Sequence, residues 1–218
     1  MLALIFGAGI FGVALFGVIA LLDAETVSYF PVGTLMAIIG ALMYEMILPM
    51  ANLGNTFDVE VSMGCTRKQF FISYCVINIV SMLLCVACIM FLNLGERFLY
   101  RQIYVHMEEE FDLFPYLLRW GLLAAVVIPV FAGFCGSLMQ KFGRTAFWIL
   151  WALWMVCCLG LPHLAEASED SVLGQIRLRL MQCAEAVSIE VWILLLLFLT
   201  AAAFTGTWLL LRKAQVNR

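Results

Sequence analysis

Six apolar stretches alternate with short polar segments along the chain. Each stretch approaches the roughly 20 residues that an α-helix needs to cross a ~30 Å hydrocarbon core. We place the spans at Ala3–Leu22, Pro31–Ala51, Phe70–Leu94, Leu117–Met139, Ala146–Leu161 and Ile189–Leu211, of which the fifth is the shortest. The pattern predicts an all-α polytopic membrane protein, with residues 1–218 forming a single transmembrane domain.

The overall composition agrees with this pattern. Hydrophobic residues make up 65% of the chain, charged residues make up 12%, and the mean hydropathy is +1.03. A soluble domain carries about a quarter of its residues as charged side chains. No basic residue or small-residue cleavage site marks the first span as a signal peptide, so we expect it to be retained.

Basic residues predict the orientation, because cytoplasmic loops carry an excess of Lys and Arg. If both termini are cytoplasmic, the inner segments hold seven bases and the two acids Asp58 and Glu60. The bases are Arg67, Lys68, Lys141, Arg144, Arg212, Lys213 and Arg218. The outer segments then hold twelve acids, Glu96 among them, and five bases.

The polar stretch NTFDVEVSMGCTRKQF at residues 55–70 contains several helix-boundary signals. Asn55 can cap a short helix that has Asp58 near its start, and Gly64 can end that helix in a left-handed conformation. Thr66 and Gln69 then have the spacing of a capping box, which starts a second helix. We therefore predict a short surface helix, a turn at Gly64 and a new start into the third span.

Two cations in the first turn of that new helix are less easily explained. Arg67 and Lys68 lie where the helix dipole disfavours positive charge by a few tenths to about 1 kcal/mol. They either anchor the loop in the cytoplasm or form part of a docking surface for a cytosolic partner.

Two inner segments resemble loops of a known family. The run SMGCTRKQFF at 62–71 resembles the Gly-x-Ser/Thr-Arg segment of the membrane subunits of bacterial type-2 ABC exporters, and QKFGRTAFW at 140–148 resembles their second cytoplasmic loop. The resemblance implies that Phe57–Met63 is a coupling helix that docks on a separate cytosolic ATPase. It also implies that the chain pairs with a second copy of itself or with a similar membrane subunit.

The resemblance can be carried to individual residues. The ATPase-coupling residues that it implies, together with their neighbours in the two loops, are Phe57, Asp58, Val61, Gly64, Thr66, Arg67, Lys68, Lys141, Gly143 and Arg144. Asp58 and Glu60 make this coupling segment unusually acidic for the family.

Motifs for catalysis are missing from the sequence. It contains no P-loop, no G-x-S-x-G and no H-E-x-x-H, and we expect no enzymatic activity, catalytic residue, metal or cofactor in this chain. ATP and Mg²⁺ are expected in the partner ATPase, and no nucleic acid is expected as a partner. GAGIFG at 7–12 matches a dinucleotide fingerprint but lacks its acidic residue, so we interpret it as small residues that let helices approach closely.

Side chains with possible chemistry inside or near the membrane are few. Glu45 is the acid inside a span, and we expect it to snorkel or to pair with a polar group rather than to carry ions. Cys85 and Cys88 have redox-motif spacing but lie in an apolar span, which favours packing. His106 beside Glu108–Glu110 could hold a cation, although an acidic outer loop is expected without one.

These observations together favour the membrane subunit of an ATP-driven exporter in a bacterial plasma membrane, in contact with lipid. The resemblance implies a hydrophobic or amphipathic substrate, such as a peptide. Two alternatives stay open: a non-transporting immunity or assembly factor, and an ion-gradient-driven carrier that uses Glu45. The outer segment around 172–187 is predicted to be an amphipathic helix on the membrane surface.

Overall fold

The computed structural model describes residues 1–22, 30–103, 113–166, 174–175, 178–179 and 187–213. The long elements in these ranges are all α-helices. They are α1 (Leu2–Leu22), α2 (Val32–Ser62), α3 (Arg67–Ile103), α4 (Phe114–Phe142), α5 (Arg144–Glu166) and α6 (Ile189–Lys213).

Four of these helices, α2, α3, α4 and α6, are long and apolar enough to cross a membrane. The apolar stretches of α1 and α5 are shorter than those of these four helices and cover Leu2–Val18 and Arg144–Gly160. The all-helical architecture is therefore confirmed, and it is compatible with a polytopic membrane protein. The count of six spans and the cytoplasmic position of both termini stay predictions.

The chain divides into two compact units, Met1–Gly133 and Phe134–Arg218. The single transmembrane domain over residues 1–218 stays a prediction. The division falls inside α4, four residues after Pro129.

The core of the first unit is built from one face of each of its helices. Buried residues from α1, α2, α3 and α4 form a single cluster: Ile5, Ala37, Ala41, Met82, Cys85, Ile89 and Ala125. Three of these are alanines, and small side chains let helices approach closely in a membrane protein. Cys85 is part of this core, which agrees with the packing role predicted for it.

Glycines bring α1 and α2 into backbone contact. A Cβ atom added to Gly12 would lie 2.7 Å from Gly33 Cα, and one added to Gly33 would lie 2.9 Å from the Gly9 carbonyl oxygen. Any larger residue at these positions would force the helices apart. GAGIFG therefore acts in helix packing, as the sequence indicated.

The second helix runs without interruption from Val32 to Ser62, which corrects the predicted short helix at Phe57–Met63. Asn55 lies inside α2, so it cannot be the N-cap of a separate element. Pro49 also lies inside α2 and lacks the N–H that would bond the Glu45 carbonyl. This single proline does not end the helix, and α2 extends well past the predicted end of the span at Ala51.

In the second unit, a stripe of small residues marks the packed face of α6. Thr200, Ala203, Thr207 and Leu211 are buried, and the two threonines bond back to carbonyls within the helix. A Cβ on Gly206 would lie 2.8 Å from the Phe134 ring, so α6 packs closely on the end of α4. By contrast, Ala146 is the sole buried side chain among the described positions of α5.

Some predicted features lie outside the described residues. They include His106 with its neighbouring acids, the C-terminal residues 214–218 and most of the segment 172–187.

Candidate functional site

The junction between α2 and α3 is a tight turn with a defined hydrogen-bond pattern. The Cys65 N–H bonds the Glu60 carbonyl at 3.0 Å, and the Gly64 N–H bonds the Val61 carbonyl at 3.2 Å. This pair of bonds defines a Schellman motif, which requires a left-handed residue just after the helix. Gly64 meets the requirement with φ of +94°, as the sequence predicted.

The start of α3 is fixed by a capping box, which confirms that prediction. The Gln69 N–H donates to Thr66 Oγ1 at 3.3 Å, and the Thr66 N–H donates to Gln69 Oε1 at 3.2 Å. The Thr66 hydroxyl also donates to Gln69 Oε1 at 2.8 Å. Free amides at the helix start are thereby satisfied within four residues, and α3 can begin immediately after the turn.

An aromatic cluster packs the end of α2 against the start of α3. Phe57 is fully buried and meets Phe70 edge to face, with ring centroids 5.2 Å apart. Phe70 stacks on Tyr74 at 6.0 Å, and the Tyr74 hydroxyl donates to the Pro49 carbonyl at 2.9 Å. The last turns of α2 are therefore fastened to the first turns of α3.

Phe57, to which the resemblance assigns a part in ATPase coupling, is buried and does not reach the surface. The ring of Phe57 faces Phe70 of α3, and Val61, to which the resemblance assigns the same role, is half-buried. The exposed apolar side chains at this end of α2 are Val59, at 50% exposure, and Met63, at 81%. Sequence reasoning missed both, since exposure depends on how α3 packs.

Charged residues are close in sequence to this exposed apolar pair. Glu60 and Lys68 are exposed, whereas Asp58 and Arg67 are half-buried. The end of α2 and the start of α3 therefore expose two apolar side chains, one acid and one base. We call Val59, Glu60, Met63 and Lys68 the tip surface.

The second predicted loop, between α4 and α5, is shorter still. The Gly143 N–H bonds the Met139 carbonyl at 2.7 Å, Gly143 has φ of +59°, and α5 begins at the next residue, Arg144. Lys141 Nζ lies 5.0 Å from the centre of the Phe142 ring. Gly143 thus separates α4 from α5 within the loop that the resemblance indicated, and Lys141 and Arg144 are both exposed beside it.

Glu45 is 1% exposed and has hydrogen-bond donors within its own chain. Ser81 Oγ donates to Glu45 Oε1 at 2.7 Å, and the Cys85 thiol donates to the same oxygen at 3.3 Å. Both donors lie on α3. A buried carboxylate is tolerated in an apolar region only when such donors compensate for its lost hydration, so pairing, not snorkelling, describes Glu45.

A second buried carboxylate escaped sequence reasoning. Glu96 was placed in an outer segment, but α3 continues to Ile103 and buries Glu96 to 4% exposure. Its carboxylate accepts hydrogen bonds from the backbone N–H groups of Gly33 and Thr34 and from the Thr34 hydroxyl, at 2.6–2.9 Å. Asn93 Nδ2 donates to the same hydroxyl at 3.2 Å.

A periodic signal could have revealed this group. The buried positions of α3 recur at intervals of three and four residues: Met82, Cys85, Ile89, Asn93, Glu96 and Tyr100. The stripe continues past Leu94, where the predicted span ended. A polar residue in register with a buried stripe is a candidate for an internal partner.

Within the described ranges, no group of three or more His, Cys, Asp or Glu side chains is placed to hold a metal ion. No family model matches the chain, and neither a curated protein nor a solved structure matches it.

Proposed function

We propose that this chain is the membrane subunit of an ATP-driven exporter, and that the α2–α3 turn docks on a separate cytosolic ATPase. The observation that supports the proposal is the construction of that turn. A Schellman motif, a capping box and an aromatic cluster fix an exposed surface rigidly to two long apolar helices.

Rigidity is what a coupling element needs. A movement of the ATPase can do work in the membrane only if the docking surface transmits it to the spans without bending. Here the tip is the end of α2 itself, because the helix is continuous from Val32 to Ser62. Displacement at Met63 is therefore carried along the helix that holds Glu45 and Thr34.

The length of α2 also suits this role. Its 31 residues extend about 46 Å at the rise of an α-helix, compared with a hydrocarbon core of ~30 Å. The polar end of the helix, beyond Ala51, accounts for about 16 Å of this length. The tip can therefore stand clear of the headgroups, where a soluble protein can reach it.

The contacts that we assign to the ATPase differ from those the sequence suggested. Met63 and Val59 supply apolar contact, and Glu60 and Lys68 supply charges of both signs. Phe57 is buried and stabilises the conformation of the turn by packing on Phe70. Met is common on surfaces that bind partners, since its flexible thioether adapts to the surface it meets.

The remaining parts of the proposal follow from the resemblance to type-2 exporters. ATP and Mg²⁺ bind in the partner ATPase, a second membrane subunit completes the substrate path, and the substrate is a hydrophobic or amphipathic compound. The α2–α3 and α4–α5 turns then face the cytoplasm, in accordance with their basic residues.

The proposal is tested by copurification from the native bacterium with a tagged chain, followed by ATP hydrolysis assays on the purified complex. We expect an ATPase with a P-loop to copurify and its activity to respond to the membrane subunit. The double change Val59→Asp with Met63→Asp should abolish this association, because it places two charges in the apolar contact. A matched control is Gln102→Asp, at an exposed position near the other end of α3.

Two results would contradict the proposal. One is a stable, membrane-inserted chain that copurifies with no ATPase. The other is an ATPase that binds the double variant and the parent equally well, in which case the basic turn serves as a topological anchor.

A further inference from the structure

The start of α5 carries an open concavity that is separate from the tip surface proposed to dock on the ATPase. It has a volume of about 430 Å³ and is lined by Arg144, Thr145, Trp148, Ile149 and Ala152. Residues 144, 148 and 152 are four apart, so they follow one face of the helix for about 12 Å. The concavity is thus a groove that begins at a cation and continues between apolar side chains. We call it the α5 groove.

The cation at the head of the groove is available to a ligand. Arg144 is exposed, and no residue of the described ranges forms an ion pair or a hydrogen bond with its side chain. A guanidinium has five N–H donors in a planar fork that matches the oxygens of a phosphate. Lys141 is also exposed, three residues earlier, and adds positive charge near the same end.

The remainder of the groove is suited to a hydrocarbon chain. Trp148 and Ile149 are 51% and 64% exposed, and Ala152 leaves space beside them. Trp148 is held edge to face by Phe147 at 5.5 Å and by Trp151 at 5.7 Å. Aromatic side chains, tryptophan above all, are typical of the level of the membrane where headgroups meet acyl chains.

The depth of these groups in the membrane fits this arrangement. Arg144 directly precedes the apolar stretch of α5, so it lies at headgroup level if α5 enters the bilayer. Ile149 and Ala152 lie about one to two turns deeper. Positive charge is therefore placed where a lipid phosphate lies, and apolar surface where its acyl chain lies.

We propose that the α5 groove binds one phospholipid with an anionic headgroup, with Arg144 on the phosphate and an acyl chain along Trp148, Ile149 and Ala152. Charge complementarity selects this occupant. A zwitterionic lipid brings a cationic amine or choline close to the guanidinium, whereas phosphatidylglycerol brings no compensating positive charge. Basic sites at helix ends are known to select acidic lipids in this way.

Fluorescence quenching can test the proposal directly. A chain that keeps Trp148 and has phenylalanine at the other five tryptophan positions is reconstituted in phosphatidylcholine vesicles. A constant fraction of the lipid is brominated and is supplied either as phosphatidylglycerol or as phosphatidylcholine. We expect the relative binding constant at Trp148 to favour phosphatidylglycerol by about five-fold, the preference that one basic side chain near the membrane surface provides.

Three variants separate the charge from the groove. Arg144→Gln should bring the ratio to about one, and Arg144→Lys should keep most of it, because a lysine retains the charge. Ala152→Phe should also remove the preference, since it fills the groove while leaving Arg144 in place. Lys213→Gln is the matched control, as Lys213 is an exposed cation at the end of another apolar helix, and it should change nothing.

Each alternative occupant gives a distinct result, and any of them overturns the proposal. Equal quenching by both lipids in the parent chain would indicate ordinary lipid contact. An equal loss of preference in Lys213→Gln would indicate a general surface potential. Absence of quenching by either lipid would indicate that a second subunit covers the groove, and abolition of the preference by excess inorganic phosphate would indicate a site for a soluble anion. Arg144, Ala152 and Lys213 are all exposed, and circular dichroism checks that the helices are retained in every chain.

Discussion

Glu96 closes the N-terminus of α2 by accepting the Gly33 N–H at 2.9 Å, although the two residues are 63 positions apart. Its other carboxylate oxygen takes the Thr34 N–H and hydroxyl. The free amides at a helix start need acceptors, and a negative charge there also complements the helix dipole. Because the acceptor comes from α3, a capping interaction serves as a link between two long helices.

This link predicts that Glu96→Gln destabilises the protein by about 2 kcal/mol, in the range of hydrogen bonds to charged groups. Glutamine keeps one acceptor, but its amide group points two donors at amides that are also donors. Thermal unfolding in detergent, followed by circular dichroism, measures the change. Glu60→Gln is the control, since Glu60 is exposed, and it should shift stability by less than about 0.5 kcal/mol. Equal behaviour of the two variants would show that the buried link contributes nothing.

The carboxylate of Glu45 is predicted to be structural. Glu45→Gln keeps an oxygen that can accept from Ser81 and Cys85, so it should fold, assemble and transport like the parent. Glu45→Leu removes that acceptor and leaves the Ser81 hydroxyl and the Cys85 thiol without it, so it should lower stability by about 1–3 kcal/mol. Transport in proteoliposomes, with and without a proton gradient, is the measurement. If Glu45→Gln assembled normally but no longer transported, Glu45 would be an ion carrier and the gradient-driven alternative would be favoured.

Phe57 and Met63 should have opposite effects when truncated. Phe57→Ala removes a buried ring from the contact with Phe70 and should cost about 3–5 kcal/mol of stability. Met63→Ala should leave stability unchanged, because Met63 is 81% exposed, and should weaken ATPase association instead. Thermal unfolding and copurification, run on both variants, separate the internal role from the docking role. Loss of ATPase binding in a Phe57→Ala chain that unfolds like the parent would restore Phe57 as a docking residue.

Local features of the sequence predicted local structure well. Gly64 and the pair of Thr66 with Gln69 act as the sequence predicted, since left-handed turns and capping boxes depend on residues only a few positions apart. The predictions that were wrong concerned side chains whose surroundings depend on packing between helices. Whether Phe57 faces α3 or solvent, and whether Glu96 finds Gly33, is decided by contacts between distant segments. The prediction of a separate coupling helix was wrong for another reason. Asn55 and Asp58 favour the start of a helix, but no residue between Pro49 and Asn55 ends α2.

The orientation of the basic turns is predicted from their charge and can be measured with single cysteines. In a cysteine-free background, cysteines at positions 65 and 143 should be protected from an impermeant maleimide in intact cells, and cysteines at 108 and 170 should react. Disrupting the cells should expose the first pair. Labelling of position 143 from outside would reverse the assignment of both turns and exclude docking to a cytosolic ATPase.

At Gly64 the cost of an unfavourable backbone conformation can be measured without a contribution from steric clashes. A Cβ at Gly64 would meet no atom within 4 Å, and the same is true of Gly95 inside α3, so neither Gly→Ala change creates a clash. The two positions differ in that Gly64 has φ of +94°, a conformation that costs an L-residue about 1–2 kcal/mol. Gly95→Ala should therefore be neutral or stabilising by up to about 1 kcal/mol, because alanine favours the helix, whereas Gly64→Ala should be destabilising.

If the turn also transmits movement, a complex with Gly64→Val should transport less substrate per ATP hydrolysed than the parent complex. A complex with Gly95→Ala should keep the parent ratio. A Gly64→Val complex with parental stability and coupling would mean that the left-handed turn is not needed to hold the tip surface in place.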